Sequence, residues 1–208
     1  MDRECELKAA GEDGIEMMRS VRYSMLGIDS WETGLFDPAD TEWRDWLNDV
    51  FRPLLMDVIR ETHIATGETR LEEVFAADRR LGDAPSISEG VKVRSLELGR
   101  RLCESQPGAK SLRPLDRFRE AVAAGTTPGH GPVAFALKCG LYHLPVLTTL
   151  LSYAFLEWKA AQTDRGTAAS RVEDFFARPV NCQLLIDAQQ YVFRSGMLPR
   201  LSPAQSSR

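Results

Sequence analysis

Histidine and cysteine are the residues of this chain best suited to metal binding, and their spacing is the first guide to its chemistry. The histidines are His63, His130 and His143. The last two stand at opposite ends of one predicted helix, too far apart to share a metal ion if that helix is straight. The cysteines lack CxxC spacing and are Cys5, Cys103, Cys139 and Cys182. We therefore expect buried free thiols and no tightly bound metal or other cofactor.

Motifs for catalysis and nucleotide binding are absent from the sequence. It contains no GxxxxGK[ST] phosphate-binding loop, no GxGxxG after a strand pattern and no HExxH. The net charge of −4, with 27% charged residues, provides no basic surface for nucleic acid. An acidic N-terminal stretch and the lack of a long uninterrupted apolar run argue against a signal peptide and a membrane span. We expect a cytoplasmic protein that is not an enzyme and binds neither nucleic acid nor membrane.

Apolar residues recur at spacings of three and four along most of the chain, which predicts helices. No stretch alternates with period two for long, so strands are not expected. The clearest helix lies in "DTEWRDWLNDVFRPLLMDVIRETHIA", residues 40–65, where Pro53 is expected to kink the helix or divide it in two. The sequence predicts an all-α, single-domain helical bundle over residues 21–200. Residues 1–20 are expected to be poorly ordered, and residues 201–208 to form a disordered tail.

The segment "TTPGHGP", residues 126–132, interrupts the helix pattern immediately before a long apolar stretch. Apolar residues between positions 133 and 158 occupy almost every side of the helix cylinder. They predict a central helical hairpin from Val133 to Trp158 in which the buried residues include Leu137, Leu141, Leu151 and Phe155. His130 is interpreted as a residue that caps this hairpin or hydrogen-bonds in the loop; the alternative is a general base at the mouth of a pocket. Gly99, inside another predicted helix, indicates a close helix contact.

Four segments and their order resemble the UreF family, the F-type urease accessory proteins. They are "VRYSMLGIDSWE" (residues 21–32), "RSLELGRRL" (94–102), "HGPVAFALKCGLYHLPVLTTLLSYAFLEWKAA" (130–161) and "QQYVFRS" (189–195). The residues that match the family's structural pattern are Ser95, Gly99, His130, Pro132 and Pro145. Where the family carries a Pro-Leu-Gly-Gln stretch, this chain has "QTDRGTAASRVEDFF". It therefore resembles a divergent member.

The resemblance implies an all-helical scaffold that takes part in nickel insertion into urease. Its implied partners are a UreD- or UreH-type accessory protein, a nickel-carrying UreG-type GTPase, the urease apoprotein and a second copy of the chain within the complex. Nickel would be handled transiently by that complex. Partner-binding residues are expected near the two chain ends: Tyr23, Ser24, Glu32, Tyr191, Phe193 and Arg194. For Tyr191 and Phe193 the alternative is packing of the closing helix on the core.

Two other functions remain open from the sequence. One is an unrelated all-helical enzyme or small-ligand-binding domain with a pocket between the core helices. The other is a regulatory adaptor that has kept the fold and lost the nickel pathway. A ligand-dependent thermal shift of the isolated chain favours the enzyme or ligand-binding domain, whereas co-purification with accessory proteins favours the scaffold.

Overall fold

The computed structural model describes residues 2–28, 31–32, 34–105, 112–164 and 171–196. Its regular structure is helical, and no strand occurs within these ranges. The helices pack around one hydrophobic core, which draws side chains from Ala10 near one end of the chain to Ala188 near the other. The prediction of an all-α, single-domain fold is confirmed.

We number the helices α1 to α10 in chain order, with a 3-10 turn after α1 and a π-helical segment after α2. Their bounds are α1 Arg3–Arg19, the 3-10 turn Tyr23–Leu26, α2 Trp43–Trp46, the π-helical segment Leu47–Leu55, α3 Met56–Gly67, α4 Leu71–Gly82, α5 Glu89–Glu104, α6 Arg113–Ala123, α7 Gly131–Leu141, α8 Val146–Asp164, α9 Val172–Phe176 and α10 Pro179–Gly196. Prolines lie in the first turn of α6 and of α7, where a missing N–H breaks no helical hydrogen bond.

The N-terminal segment contains a helix that the sequence analysis does not assign. The sequence predicts a poorly ordered segment over residues 1–20; the structure describes Arg3–Arg19 as α1, which packs against α9 and α10. The packing is possible because Gly11 and Gly14 let the helix backbone approach its neighbours closely, and Met18 is only 1% exposed. The predicted tail at 201–208 lies outside the described residues.

Pro53 lies within a continuous helical run from Trp43 to Gly67 and does not divide it. The hydrogen bonding changes there from α-helical to π-helical, so that the N–H of Met56 donates to the carbonyl of Phe51, five residues earlier. A π-turn is wider than an α-turn and accommodates a proline, which has no N–H to donate and a ring that crowds the preceding turn. Of the two expected outcomes, a kink or a division, the division does not occur, and the local change at Pro53 is the switch to π-helical hydrogen bonding.

The central hairpin is formed by α7 and α8. Every residue of α7 from Gly131 to Gly140 is buried, and α7 lies between α3 and α5. Leu137 and Leu151 are fully buried and Phe155 is 4% exposed. Leu141, at the end of α7, is only half-buried. The prediction of an all-round apolar hairpin at the centre of the fold is confirmed.

Three of the four free cysteines are buried, as expected: Cys103, Cys139 and Cys182. Burial raises the pKa of Cys103 and of Cys139 to about 12, so these thiols remain protonated at neutral pH. Cys5 is exposed near the start of α1. The expectation of burial is wrong for Cys5, because the N-terminal half of α1 contributes little to the core.

Candidate functional site

The entrance to α7 is fixed by the buried carboxylate of Asp78 on α4. Its oxygens accept hydrogen bonds from the Thr127 hydroxyl at 2.6 Å, the Gly129 N–H at 2.6 Å and the His130 N–H at 2.9 Å. The N-terminus of a helix carries partial positive charge, so a carboxylate is a favourable partner there. Asp78 therefore holds the entrance loop and the start of α7 against α4.

His130 is the N-cap residue of α7 and is 2% exposed. Burial lowers the pKa of its imidazole, which is therefore neutral at physiological pH. Its buried position contradicts the alternative that placed His130 as a general base at the mouth of a pocket. His130 lies at the helix start, as the other interpretation placed it, but its side chain makes no capping hydrogen bond, and within the described residues its Nδ1 has no hydrogen-bond partner.

Helix α5 crosses this entrance through Ser95 and Gly99. The Ser95 hydroxyl accepts a hydrogen bond from the Gly131 N–H at 3.2 Å. A side chain at Gly99 would meet backbone, because its Cβ would lie 1.9 Å from the carbonyl oxygen of Gly129. The close contact that Gly99 indicates is therefore with the entrance loop, and Pro132 is buried in the first turn that follows.

Pro145 stands at the other end of the hairpin turn. It immediately precedes α8, and its carbonyl accepts a hydrogen bond from the Thr149 N–H at 2.9 Å. His143, two residues earlier, has a positive φ of 56°. The chain thus reverses between α7 and α8 within four residues, and the proline begins the second helix.

A buried lysine anchors the other end of α5. The Lys138 ammonium, on α7, donates to the carbonyl of Leu102 at 2.9 Å and to the carbonyl of Ser105 at 2.5 Å. Burial lowers its pKa to about 8. The last carbonyls of a helix carry partial negative charge, so the cation is stabilised there and the C-terminus of α5 is held against α7.

A buried glutamate on α8 holds the loop before α2. The Glu157 carboxylate accepts hydrogen bonds from the N–H groups of Gly34 at 3.0 Å, Leu35 at 3.3 Å and Phe36 at 3.1 Å. The loop is also bound through the carbonyl of Leu35, which accepts from the Trp46 indole at 2.9 Å. Burial raises the pKa of Glu157 to about 7. This loop is thus attached to the hairpin by a group that titrates near neutrality.

The burial of Glu157 predicts a pH-dependent stability. Its folded-state pKa of about 7 lies above the ordinary 4.5, so the folded state binds the proton more tightly. The stabilisation that the proton on Glu157 gives the folded state is fully present below about pH 4.5 and is lost as the pH rises through about 7. We expect the free energy of unfolding of the wild type, relative to Glu157→Gln, to fall by roughly 2–3 kcal/mol over this window. Denaturant unfolding at a series of pH values measures this difference.

Glu97→Gln is the matched control for that titration. Glu97 lies half-exposed at the surface of α5, and hydrogen bonds from Arg100 and Arg101 lower its pKa to about 2. Glu97 stays ionised above about pH 5.5. Between about pH 5.5 and 7 the free energy of unfolding of Glu97→Gln should therefore change with pH as steeply as that of the wild type. If the free energy of unfolding of Glu157→Gln changed with pH as steeply as that of the wild type, the assignment of this titration to Glu157 would be wrong.

The first predicted partner segment is only partly exposed. Tyr23 is half-buried, and its ring stacks on Phe155 of α8 with the ring centroids 6.3 Å apart. Ser24 and Glu32 are exposed, and Glu32 forms an ion pair with Arg101 of α5 at 2.6 Å. The segment therefore presents Ser24 and Glu32 to solvent, while Tyr23 helps to attach it to the hairpin.

The second predicted partner segment lies at the end of α10. The Tyr191 hydroxyl donates a hydrogen bond to Asp57 of α3, and the Arg60 guanidinium lies 5.8 Å from the centroid of its ring. Phe193 is 64% exposed, and Arg194 is exposed. The alternative of core packing thus describes Tyr191 and does not describe Phe193. The two segments rest against different helices, Tyr23 on α8, Glu32 on α5 and Tyr191 on α3.

Sequence reasoning missed three buried charged residues: Asp78, Lys138 and Glu157. Lys138 and Glu157 are lone charges within otherwise uncharged helix stretches, "GPVAFALKCGL" and "LLSYAFLEW". That pattern is the signal that marks these two, because an ion is rarely buried unless partners compensate its charge. Asp78 carries no such mark, because Arg79 and Arg80 follow it directly. All three bind backbone groups of distant segments. They hold the hairpin to its neighbours, and within the described ranges no group of three or more potential metal ligands comes together.

The described helices also include none that is both long and apolar enough to cross a membrane. In comparisons with known proteins, the model of the UreF family matches residues 41–163. That range is more than half of the 208 residues and contains α2 to α7, most of α8 and the whole entrance to α7. No curated protein and no solved structure matches the chain. The matched range includes the helices that build the central hairpin and everything that fixes its entrance, and the chain belongs to the UreF family.

Proposed function

We propose that this chain is a scaffold in the complex that inserts nickel into urease. UreF is a family of urease accessory proteins, and membership of that family is the observation that carries the proposal. In the proposed complex the chain docks a nickel-carrying UreG-type GTPase, modulates its nucleotide cycle and helps to deliver nickel to the urease apoprotein. A UreD- or UreH-type accessory protein and a second copy of the chain complete the assembly.

In this proposal the chain makes and breaks no covalent bonds, and nickel passes through the complex without a tight site on this chain. The way its buried charges are used supports that division of labour. Asp78, Lys138 and Glu157 all bind the chain's own backbone, so their chemistry is committed to holding helices and loops in place. A buried central hairpin that is held to its neighbours in this way suits a protein whose outer surfaces bind partners.

We place the contact with the UreD- or UreH-type partner at the exposed end of α10. Phe193 is a large apolar side chain with 64% exposure, and Arg194 follows it. Aromatic residues and arginine are enriched at the energetic centres of protein interfaces. Tyr191 contributes indirectly, because its contacts with Asp57 and Arg60 fix the end of α10 on α3.

Replacing Phe193 or Arg194 with alanine is expected to weaken capture of the UreD- or UreH-type partner at least about tenfold in Kd. Both side chains are exposed, so the melting temperature of the isolated chain should change little. Binding is measured by pull-down and titration. The proposed role in nickel delivery is measured as nickel-dependent activation of apo-urease by the complete set of accessory proteins, with each variant in place of the wild type.

Val93→Ala provides the matched control, because Val93 on α5 is as exposed as Phe193, at 64%. It should leave partner capture and urease activation unchanged. Tyr191→Ala is unsuitable as a surface variant, since it removes the hydrogen bond to Asp57. Full capture by both α10 variants would refute the interface. A chain that binds no accessory protein and does not affect urease activation would refute the scaffold function itself.

A further inference from the structure

The turn between α7 and α8 brings the imidazole of His143 near that of His63 on α3. The Nε2 atom of His63 lies 2.7 Å from the carbonyl oxygen of Leu144, the residue that follows His143. Burial lowers the pKa of His63, the hydrogen bond to Leu144 raises it, and the charge of a protonated His143 lowers it. Two of the three histidines of the chain, 80 residues apart in the sequence, are thus neighbours in the fold.

The tautomer of His63 is set by its hydrogen bond. A carbonyl oxygen can only accept, so the Nε2 atom of His63 carries the proton and donates it to Leu144. The Nδ1 atom of the neutral ring then has a free lone pair, and within the described residues it is neither hydrogen-bonded nor buried. A histidine that binds a metal ion usually donates its other ring N–H to a carbonyl or carboxylate oxygen. His63 already has this supporting bond.

His143 occupies a backbone position that usually holds glycine. Its N–H donates to the carbonyl of Gly140, and the N–H of Leu144 donates to the carbonyl of Cys139. These two bonds form a Schellman motif at the end of α7, with His143 in the left-handed region at a φ of 56°. A side chain is unfavourable there, yet this one is exposed and makes no hydrogen bond within the described residues. Neither packing nor hydrogen bonding therefore accounts for the imidazole.

We propose that the Nδ1 atom of His63 and the imidazole of His143 form a weak surface site for one divalent metal ion, with Ni²⁺ as its cargo. Imidazole nitrogen is a suitable ligand for Ni²⁺, whereas Mg²⁺ prefers oxygen. Two protein ligands leave the remaining positions of the ion to water, so the ion exchanges readily, as transient handling requires. The choice of nickel rests on the function proposed above, and the pairing of the two histidines does not.

Titration of the isolated chain with Ni²⁺ tests the site, in a Cys5→Ser background that removes the exposed thiol. The imidazole NMR signals report on each of the three histidines separately. Paramagnetic Ni²⁺ should broaden the signals of His63 and His143 together. His130 lies beyond the other end of α7, which has 11 residues and is roughly 16 Å long, so its signals should persist. Mg²⁺ should leave the signals of all three unchanged.

Two variants separate metal binding from a structural role. His143→Gly should lower the affinity for Ni²⁺, measured by calorimetry, at least about tenfold. Its melting temperature should stay the same or rise, because glycine fits the left-handed backbone. His63→Gln should lose as much affinity, although its amide N–H can still donate to Leu144. Thr69→Gly is the control: Thr69 is exposed with a φ of 59°, and its replacement should leave the affinity unchanged.

Three results would overturn the proposal: no saturable binding of Ni²⁺, equal broadening of all three histidines, or unchanged affinity in either histidine variant. The titration uses no accessory protein and no urease. A failed activation of apo-urease would therefore refute the scaffold function and leave the assignment of this site in place.

Discussion

Replacing Gly99 with alanine is expected to lower the free energy of unfolding by about 4 kcal/mol or more. The added Cβ would lie 1.9 Å from the carbonyl oxygen of Gly129 and 2.9 Å from the carbonyl carbon of His130. Both neighbours are backbone atoms in the loop that starts α7, so no side chain can rotate away to relieve the clash. Either α5 or the entrance loop must move, and both pack on α7 at the centre of the fold. Urea unfolding followed by circular dichroism measures the loss.

Gly90→Ala is the control for that result. Gly90 lies in the first turn of the same helix, α5, and nothing lies within 4 Å of a Cβ added there. Because alanine is a better helix former than glycine, the control should be neutral or stabilising by up to about 1 kcal/mol. A Gly99→Ala variant as stable as Gly90→Ala would show that α5 does not pack on the loop as described.

Replacing Asp78 with alanine is expected to cost about 4 kcal/mol. The carboxylate accepts hydrogen bonds from Thr127, Gly129 and His130, and Asp78 has no exposed surface. Removing it leaves buried donors without an acceptor and takes a negative charge from the N-terminus of α7. The free energy of unfolding of Asp78→Asn should lie between those of Asp78→Ala and the wild type. The amide oxygen still accepts a hydrogen bond, while the amide N–H₂ faces another donor. The measurement is again denaturant unfolding.

Asp83→Ala provides the comparison for Asp78. Asp83 is exposed just after α4. Its substitution should change stability by no more than about 0.5 kcal/mol. If Asp78→Ala were equally mild, the hydrogen bonds to the entrance loop would not be the anchor of α7, and water would have to satisfy the same donors.

The hairpin could be predicted from the sequence and helix α1 could not, for a physical reason. α7 and α8 carry apolar residues on nearly every side, and such helices are stable in water only at the centre of a fold. The contact of α1 depends on the absence of side chains at Gly11 and Gly14, where a hydrophobic pattern shows only a gap. The burial of Leu141 was overestimated, because hydrophobic periodicity does not reveal that α7 ends at this residue.

Only those parts of the candidate site that depend on neighbouring residues in the sequence could be predicted. His130 and Pro132 could be assigned to a helix start because the glycines and prolines around them interrupt the pattern. The partners of Asp78 and Glu157 could not be assigned, because these are backbone groups 52 and 123 residues away along the chain. On the surface, Phe193 and Tyr191 stand two residues apart and are both aromatic. Only the contacts of Tyr191 with Asp57 and Arg60 on α3 distinguish the anchored residue from the exposed one.

Because the segment Leu47–Leu55 is wound as a π-helix, it holds at least one residue more than α-helical turns of the same rise. A relative with a plain α-helix at this point needs correspondingly fewer residues between Trp46 and Met56. If the two sequences are aligned without a gap, each surplus residue shifts the assigned faces on one side of the segment by about 100°. A gap placed beside Pro53 keeps Trp46, before the segment, and Ile59, after it, aligned with core positions at the same time.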